Sequence, residues 1–172
     1  MSNKAVFLDR DGVINVDKEY NYKIEEFEFT KNIFENLRLL QAGRFMLFVV
    51  TNQSGIGRGY YSLEDFNKLN NYMLNIFCKE HINIKKVYFC PHKPADNCEC
   101  RKPKIKFIKD AEKEFNLDLE NSWVIGDKIE DIKMGRDAGC RALLIESKYT
   151  QNSSENKLRD LAECSKAILE SS

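Results

Sequence analysis

Apolar residues along this chain keep switching between two spacings. Short runs with strand character recur at Lys4 to Asp9, Phe45 to Thr51, Lys86 to Cys90, Ser122 to Gly126 and Arg141 to Ile145. Between them the apolar positions fall three or four apart. Ile33, Leu37 and Leu40 form one such stripe, which stops at Gly43, the expected C′ residue. Ser62 opens a second stripe (Leu63, Phe66, Leu69, Met73, Phe77), with Asp65 placed for a capping box. Ile108, Ala111 and Phe115 mark a third helix, and Ile132 to Ala138 a fourth, ended by Gly139. A polar stretch from Thr150 to Asn156 precedes a closing helix read from Leu158, Leu161, Ala162 and Ile168. Strands alternating with helices predict a parallel sheet covered on both faces. The chain shows no internal repeat and no linker, so residues 1–172 are expected to form a single domain, with inserts too short for a separate cap.

Composition narrows the field. The 172 residues are 42% hydrophobic, enough for a real core, and 27 basic residues balance 27 acidic ones. That balance gives no electrostatic reason to expect a nucleic-acid partner. The apolar run from Ala5 to Leu8 is too short for a signal peptide or a membrane span, so no membrane association and a cytoplasmic location are expected. Six cysteines in such a setting point to metal binding or reduced thiols rather than disulfides.

The chemistry concentrates at the ends of the strand runs. Asp9-Arg10-Asp11-Gly12 follows the first, and alternation along an extended chain would point Asp9 and Asp11 the same way. Two close carboxyls resist joint ionisation, and a divalent cation with a preference for oxygen relieves that cost. One carboxylate could then attack phosphorus while the other handles a proton. Thr51-Asn52-Gln53-Ser54-Gly55 follows the second run and offers a hydroxyl and bare backbone N–H groups to phosphate oxygens. Arg101 and Lys102 add two cations suited to phosphate. Gly126-Asp127 ends the fourth run, with Asp131 one helical turn later; helix capping would account equally for Asp127. In open parallel sheets ligands sit beyond the carboxyl ends of strands, so Asp9, Thr51 and Asp127 should share one crevice.

Taken in order, Asp9-x-Asp11-Gly12, Thr51-Asn52, Lys102 and Gly126-Asp127-x-x-x-Asp131 resemble the haloacid-dehalogenase-type phosphatase superfamily over residues 4 to 145. Asp9-Arg10-Asp11-Gly12-Val13-Ile14-Asn15, Thr51 to Gly59, Cys90-Pro91-His92-Lys93-Pro94 and Cys98-Glu99-Cys100-Arg101-Lys102-Pro103 are similar to one capless branch of it, which contains heptose-bisphosphate and histidinol-phosphate phosphatases. The resemblance implies a Rossmann-like α/β sheet and an aspartyl-phosphate mechanism. Asp9 would be the nucleophile and Asp11 the proton donor and acceptor, with Thr51 and Lys102 holding the phosphoryl oxygens. Mg²⁺ would be bound by the Asp9 carboxylate, the Asp11 backbone carbonyl and Asp127. Asp17, Lys18, Glu19 and Tyr20, with Thr51, Asn52, Gln53 and Ser54, would line the substrate, and Arg101, Lys102 and Lys128 would contact it. The implied substrate is a small sugar phosphate, D-glycero-D-manno-heptose 1,7-bisphosphate hydrolysed at C7 in bacterial heptose biosynthesis; histidinol phosphate is the alternative. A monomer is the expected state. The short loop from His92 to Cys98 and the Lys104-Ile105-Lys106 segment depart from the branch where the far end of a substrate would rest.

Cys90, His92, Cys98 and Cys100 place four soft ligands in one short window, which matches a closed structural zinc site. The expected role is a staple that aims Arg101 and Lys102 into the crevice. A zinc-stapled binding module without catalysis is the competing class, and it leaves the competent residues at every catalytic position unexplained. His81 reads as a helix-end residue, and Tyr20, Tyr22, Phe27 and Phe29 as either a flap or core packing.

Overall fold

Ala5, Val6, Phe7 and Leu8 are all fully buried, because the strand they form has a neighbour on each edge and helices over both faces. The computed structural model describes residues 2–171. Among these, six strands form one parallel sheet: β1 (Lys4–Leu8), β2 (Phe45–Asn52), β3 (Ile84–Cys90), β4 (Trp123–Gly126), β5 (Arg141–Ile145) and β6 (Lys157–Leu158). Their order is β3-β2-β1-β4-β5-β6. Order reverses between β1 and β4, and that switch point opens a crevice at the carboxyl ends of both strands.

Alternation along the strands sorts side chains into two cores. Val6, Leu8, Leu47, Val49 and Ile125 face α1 (Ile33–Ala42), α3 (Leu63–Lys79) and α6 (Leu161–Glu170). Ala5, Phe7, Phe48, Val50 and Val124 face α4 (Lys106–Phe115) and α5 (Ile129–Ala138). A single turn, α2 (Ser54–Gly57), follows β2. The capping box read at Ser62 is present: Ser62 Oγ accepts from Asp65 N, and Asp65 Oδ2 accepts from Ser62 N. Gly139 ends α5 with φ +97.

Several expectations change. β6 has no apolar run to announce it, and Leu158 belongs to it rather than to the closing helix. That helix begins at Leu161, where Asp160 caps it by accepting from Glu163 N. Gly43 caps α1 with φ −72, and it is Arg44 that takes the left-handed conformation at φ 65. The aromatic segment after β1 divides: Phe27 and Phe29 pack on the core, whereas Tyr20 is exposed at the crevice. Among the described residues no helix is long and apolar enough to cross a membrane.

The stripe on α1 supplies a paired test. Leu37 is fully buried and Leu39 is 46% exposed. Leu37→Ala should cost about 2–5 kcal/mol in chemical denaturation, and Leu39→Ala less than about 0.5 kcal/mol. Equal losses would contradict this placement of the helix.

Candidate active site

β1 stops at Leu8, where Asp9 N donates to Ile125 O of β4 at 3.0 Å and ties the two strand ends together. The chain then turns back on itself, with Gly12 N donating to Asn15 O at 2.7 Å. Asp9 and Asp11 therefore reach the crevice through a turn, not through strand alternation, although both line it. Two glycines make room for acids. A Cβ on Gly12 would sit 2.3 Å from Asp127 Oδ2, and one on Gly126 would sit 2.1 Å from Asp131 Cβ. Gly12 also has φ +93, a conformation that L side chains rarely adopt.

Asp9, Asp127 and Asp131 bring carboxylate oxygens within 4.8 Å of one another. Lys102 is driven among them: its ammonium lies 2.8 Å from Asp9 Oδ1 and 2.6 Å from Asp131 Oδ1, and donates to Val50 O at 3.0 Å. Burial opposes the charge on Lys102, but Asp131 and Asp9 outweigh it and raise its pKa. Burial raises Asp9 to about 6, with Lys102 pulling the other way. Burial and then the Asp9 charge raise Asp127 to about 8. Asp131 is occupied twice, by Lys102 and by Lys128 N at 3.1 Å. Asp127 Oδ1, by contrast, is buried without a hydrogen-bond partner among the described residues. An orphaned carboxylate oxygen among crowded acids fits a hard divalent cation such as Mg²⁺, held by Asp9 and Asp127.

Asp11 sits in a cage of donors, of which the sequence had assigned a role only to Gln53, as a residue lining the substrate. Arg10 is 1% exposed, and its Nη2 donates to both Asp11 oxygens, to Asn21 O and to Gln53 Oε1. Asn15, Asn21 and Gln53 each donate an amide N–H to Asp11 at 3.0–3.1 Å. Tyr61 Oη donates to Gln53 Oε1 at 2.6 Å and stacks on Tyr22. Burial alone would raise the Asp11 pKa, but Arg10 and the Asn15 amide outweigh it and hold the pKa below the ordinary carboxylate value. The one available signal was two asparagines set between apolar or aromatic neighbours, Asn15 between Ile14 and Val16 and Asn21 between Tyr20 and Tyr22.

The crevice encloses about 640 Å³. Thr51, Asn52, Gln53, Ser54, Arg101, Lys102 and Lys128 line it, as do Asp17, Glu19 and Tyr20. Lys18 does not. Its ammonium pairs with Glu28 at 3.0 Å and donates to Glu26 O, so it is spent outside the cavity. Thr51 Oγ1 accepts from Gln53 Nε2 at 2.8 Å, and Asn52 Oδ1 accepts from Lys102 N at 3.1 Å. Asp131, Tyr61 and Tyr149 also line the crevice without having been assigned to it.

Beyond β3, Cys90 Sγ lies 3.6 Å from His92 Nδ1 and 3.5 Å from Cys98 Sγ. Cys100 Sγ lies 3.4 Å from the same nitrogen and 3.7 Å from Cys98 Sγ. A tetrahedral site with metal–sulfur bonds of about 2.3 Å and metal–nitrogen of about 2.0 Å has edges of roughly 3.5–3.8 Å. The four ligand atoms therefore stand ready for one metal ion. Arg101 leaves this cluster with Nη1 bonded to His92 O at 3.3 Å, and Lys102 follows it directly.

Comparison with known proteins agrees with this geometry. A family model described as HAD-hydrolase-like matches residues 99–171. The chain is 52% identical over 145 residues to D-glycero-alpha-D-manno-heptose-1,7-bisphosphate 7-phosphatase of Campylobacter jejuni, covering 84% of this chain and 83% of that protein. It is 48% identical to a D-glycero-beta-D-manno-heptose-1,7-bisphosphate 7-phosphatase of Helicobacter pylori, over 84% of each. In structure it is similar to the D,D-heptose 1,7-bisphosphate phosphatase of B. bronchiseptica, which was crystallised with magnesium and phosphate. That likeness has a TM-score of 0.88 at 27% identity and covers 98% of this chain and 99% of that one.

The crowded acids make a pH-dependent prediction. Without metal, Asp9 and Asp127 have folded pKa values of about 6 and about 8, above their ordinary 3.8. The folded state then binds more protons than the unfolded one, so stability falls as pH rises through that window. Protein dialysed free of Mg²⁺ should melt lower near pH 8 than near pH 6, and Mg²⁺ should raise the melting temperature more near pH 8. Asp127→Asn should stabilise the metal-free protein near pH 8 and lose most of the Mg²⁺ shift. A metal-free melting temperature that rises with pH across this range would contradict the account.

Proposed function

We infer a specific reaction from one premise: the chain belongs to the haloacid-dehalogenase-type phosphatase family. It is a magnesium-dependent phosphoric monoester hydrolase. The reaction we propose is hydrolysis of the C7 phosphate of D-glycero-D-manno-heptose 1,7-bisphosphate, in bacterial heptose biosynthesis, by a cytosolic monomer. The observation that carries it is the buried Asp9–Lys102–Asp131 bridge beside an Asp127 oxygen with no hydrogen bond among the described residues. The relatives named above include enzymes for both anomers, so the proposal rests at the level of the bisphosphate.

Asp9 Oδ1 accepts from Lys102 and from Arg10 N, which leaves Oδ2 to attack phosphorus. The attack displaces the C7 oxygen and forms an aspartyl phosphate on Asp9. Lys102 and the Thr51 hydroxyl stabilise charge on the transferring oxygens. Bound Mg²⁺, held by Asp9, Asp127 and the Asp11 backbone carbonyl, would neutralise phosphoryl charge. Asp11 serves both halves of the cycle. Its donor cage keeps it ionised, the form that takes a proton from the water that opens the aspartyl phosphate. An incoming phosphoryl anion favours the protonated form, which gives that proton to the leaving sugar oxygen. The Cys90, His92, Cys98 and Cys100 cluster holds a structural zinc and fixes the approach of Arg101 and Lys102. Among the described residues no connection forms a second folded layer over the crevice, which supports a capless enzyme.

Asp9→Asn should lower turnover by at least about a thousandfold with the fold retained, because the attacking carboxylate is gone. In a substrate panel with Mg²⁺, the heptose bisphosphate should show a higher kcat/KM than histidinol phosphate or an oligonucleotide 3′-phosphate. Better turnover of histidinol phosphate would overturn the substrate assignment. Purified protein should hold about one zinc per chain through dialysis that strips Mg²⁺. Cys98→Ser should lower thermal stability and turnover without rescue by added Mg²⁺, and fully active zinc-free protein would rule out the staple.

A further inference from the structure

Tyr149 lies between β5 and β6, far along the chain from the aspartate pair, yet it lines the crevice. Its hydroxyl donates to Asp17 Oδ2 at 2.8 Å. The other Asp17 oxygen accepts from Glu19 N at 2.9 Å, so this carboxylate is fixed at both ends. The Tyr149 ring carries the Lys128 ammonium 4.4 Å from its centroid. Among the described residues that ammonium has loose ionic partners, Asp17 at 3.7 Å and Asp127 at 3.8 Å, and it lines the crevice. Next in the chain, Lys148 donates to Glu19 Oε1 at 2.9 Å. Two contacts thus join the loop after β5 to the strap at residues 17–20.

The strap needs such a hold. Glu19 and Tyr20 both carry positive φ, 60 and 50, which non-glycine residues adopt at a cost. Tyr20 is steadied on the other side by an edge-on contact with Tyr60, its ring centroid 4.8 Å away. The base of the loop after β5 is anchored as well: Ser147 Oγ donates to Asp127 O at 2.7 Å. Strap, loop and the end of β4 therefore form one wall, running outward from the carboxylates.

We propose that Tyr149 is a positioning residue that sets this wall, holding Asp17 and Lys128 where the sugar stem of an extended phosphomonoester passes. The proposal rests on the sugar-phosphate reading given above. A phosphomonoester with a small leaving group needs the carboxylates and Lys102 but not the wall. An extended polyol phosphate needs both. Loss of the Tyr149 hydroxyl frees Asp17 to turn and loosens the surface beneath Lys128, so it weakens binding of the long substrate more than it slows chemistry.

The test is steady-state kinetics of Tyr149→Phe, Asp17→Asn and the double variant, on the heptose bisphosphate and on p-nitrophenyl phosphate, with melting curves alongside. Tyr149→Phe should raise KM for the bisphosphate about tenfold, the scale of one hydrogen bond to a charged group, while kcat changes by less than about threefold. The penalty in kcat/KM should be at least about fivefold larger on the bisphosphate than on p-nitrophenyl phosphate. Adding Asp17→Asn to Tyr149→Phe should cost less than the product of the single effects, because both remove the same bond. Equal penalties on the two substrates, an unchanged KM, or multiplicative effects would overturn the proposal. A wild type that prefers another sugar phosphate overturns the substrate assignment instead. The Tyr149 test is then read on that preferred substrate against p-nitrophenyl phosphate.

Discussion

The Lys102 ammonium, almost wholly removed from water, is shared by Asp9 at 2.8 Å and Asp131 at 2.6 Å, with the Val50 carbonyl as a third acceptor. Stripping one partner from a buried ion pair costs about 3–5 kcal/mol, since the remaining charge stays desolvated. One cation therefore binds the end of β1, the first turn of α5 and the last turns of β2 to the loop that follows β3. Asn52 closes the same junction by accepting from Lys102 N and donating to Lys102 O. The loop that delivers Lys102 begins at the Cys90–Cys100 cluster, whose Cys98 itself lines the crevice, so the geometry of that four-ligand cluster bears on where Lys102 is held.

Charge accounts for the rest of the centre. Lys102 serves two carboxylates but not the third, and Asp127 is left with a buried oxygen that has no hydrogen-bond partner among the described residues and only the Lys128 ammonium 3.8 Å away. The backbone has conformed to that arrangement, since Gly12 and Gly126 sit where any side chain would collide with Asp127 or Asp131. The second acid is treated in the opposite way. Asp11 receives Arg10 and three amides, an enclosed network braced by the Tyr22–Tyr61 stack. In the proposed reaction Asp9 is the attacking acid, its Oδ2 left free by Lys102 and Arg10 N, and Asp11, fixed in orientation by its donors, is the proton carrier. The two are two positions apart in the chain, and their environments make the difference.

Much of the architecture was legible because buried parallel strands read as unbroken apolar runs. β1, β2, β4 and β5 lie within a residue of where those runs placed them. β3 starts at Ile84, two residues before the run read from Lys86, because the exposed Lys85 separates Ile84 from that run. β6 could not be seen: two residues have no periodicity, and Leu158 happens to fall three before Leu161. Motif spacing picked out Asp9, Asp11, Asp127 and the Cys/His cluster, which the fold gathers into two groups, since each motif is local. Arg10, Asn21, Tyr61 and Tyr149 escaped because their roles exist only once distant segments meet; Tyr149 and Asp17 lie 132 residues apart. Lys18 was assigned by its neighbours in sequence, and the strap turns its side chain away.

The central claim is that Asp9 itself becomes phosphorylated. Enzyme mixed with the heptose bisphosphate and Mg²⁺, quenched in acid during turnover and treated with borohydride, traps an acyl phosphate as the corresponding alcohol. Peptide mass spectrometry should then find the aspartate-to-homoserine change at position 9, only when substrate is present and not at Asp11 or Asp127. Unmodified Asp9 in samples that are releasing phosphate, or the change at another carboxylate, would contradict the account.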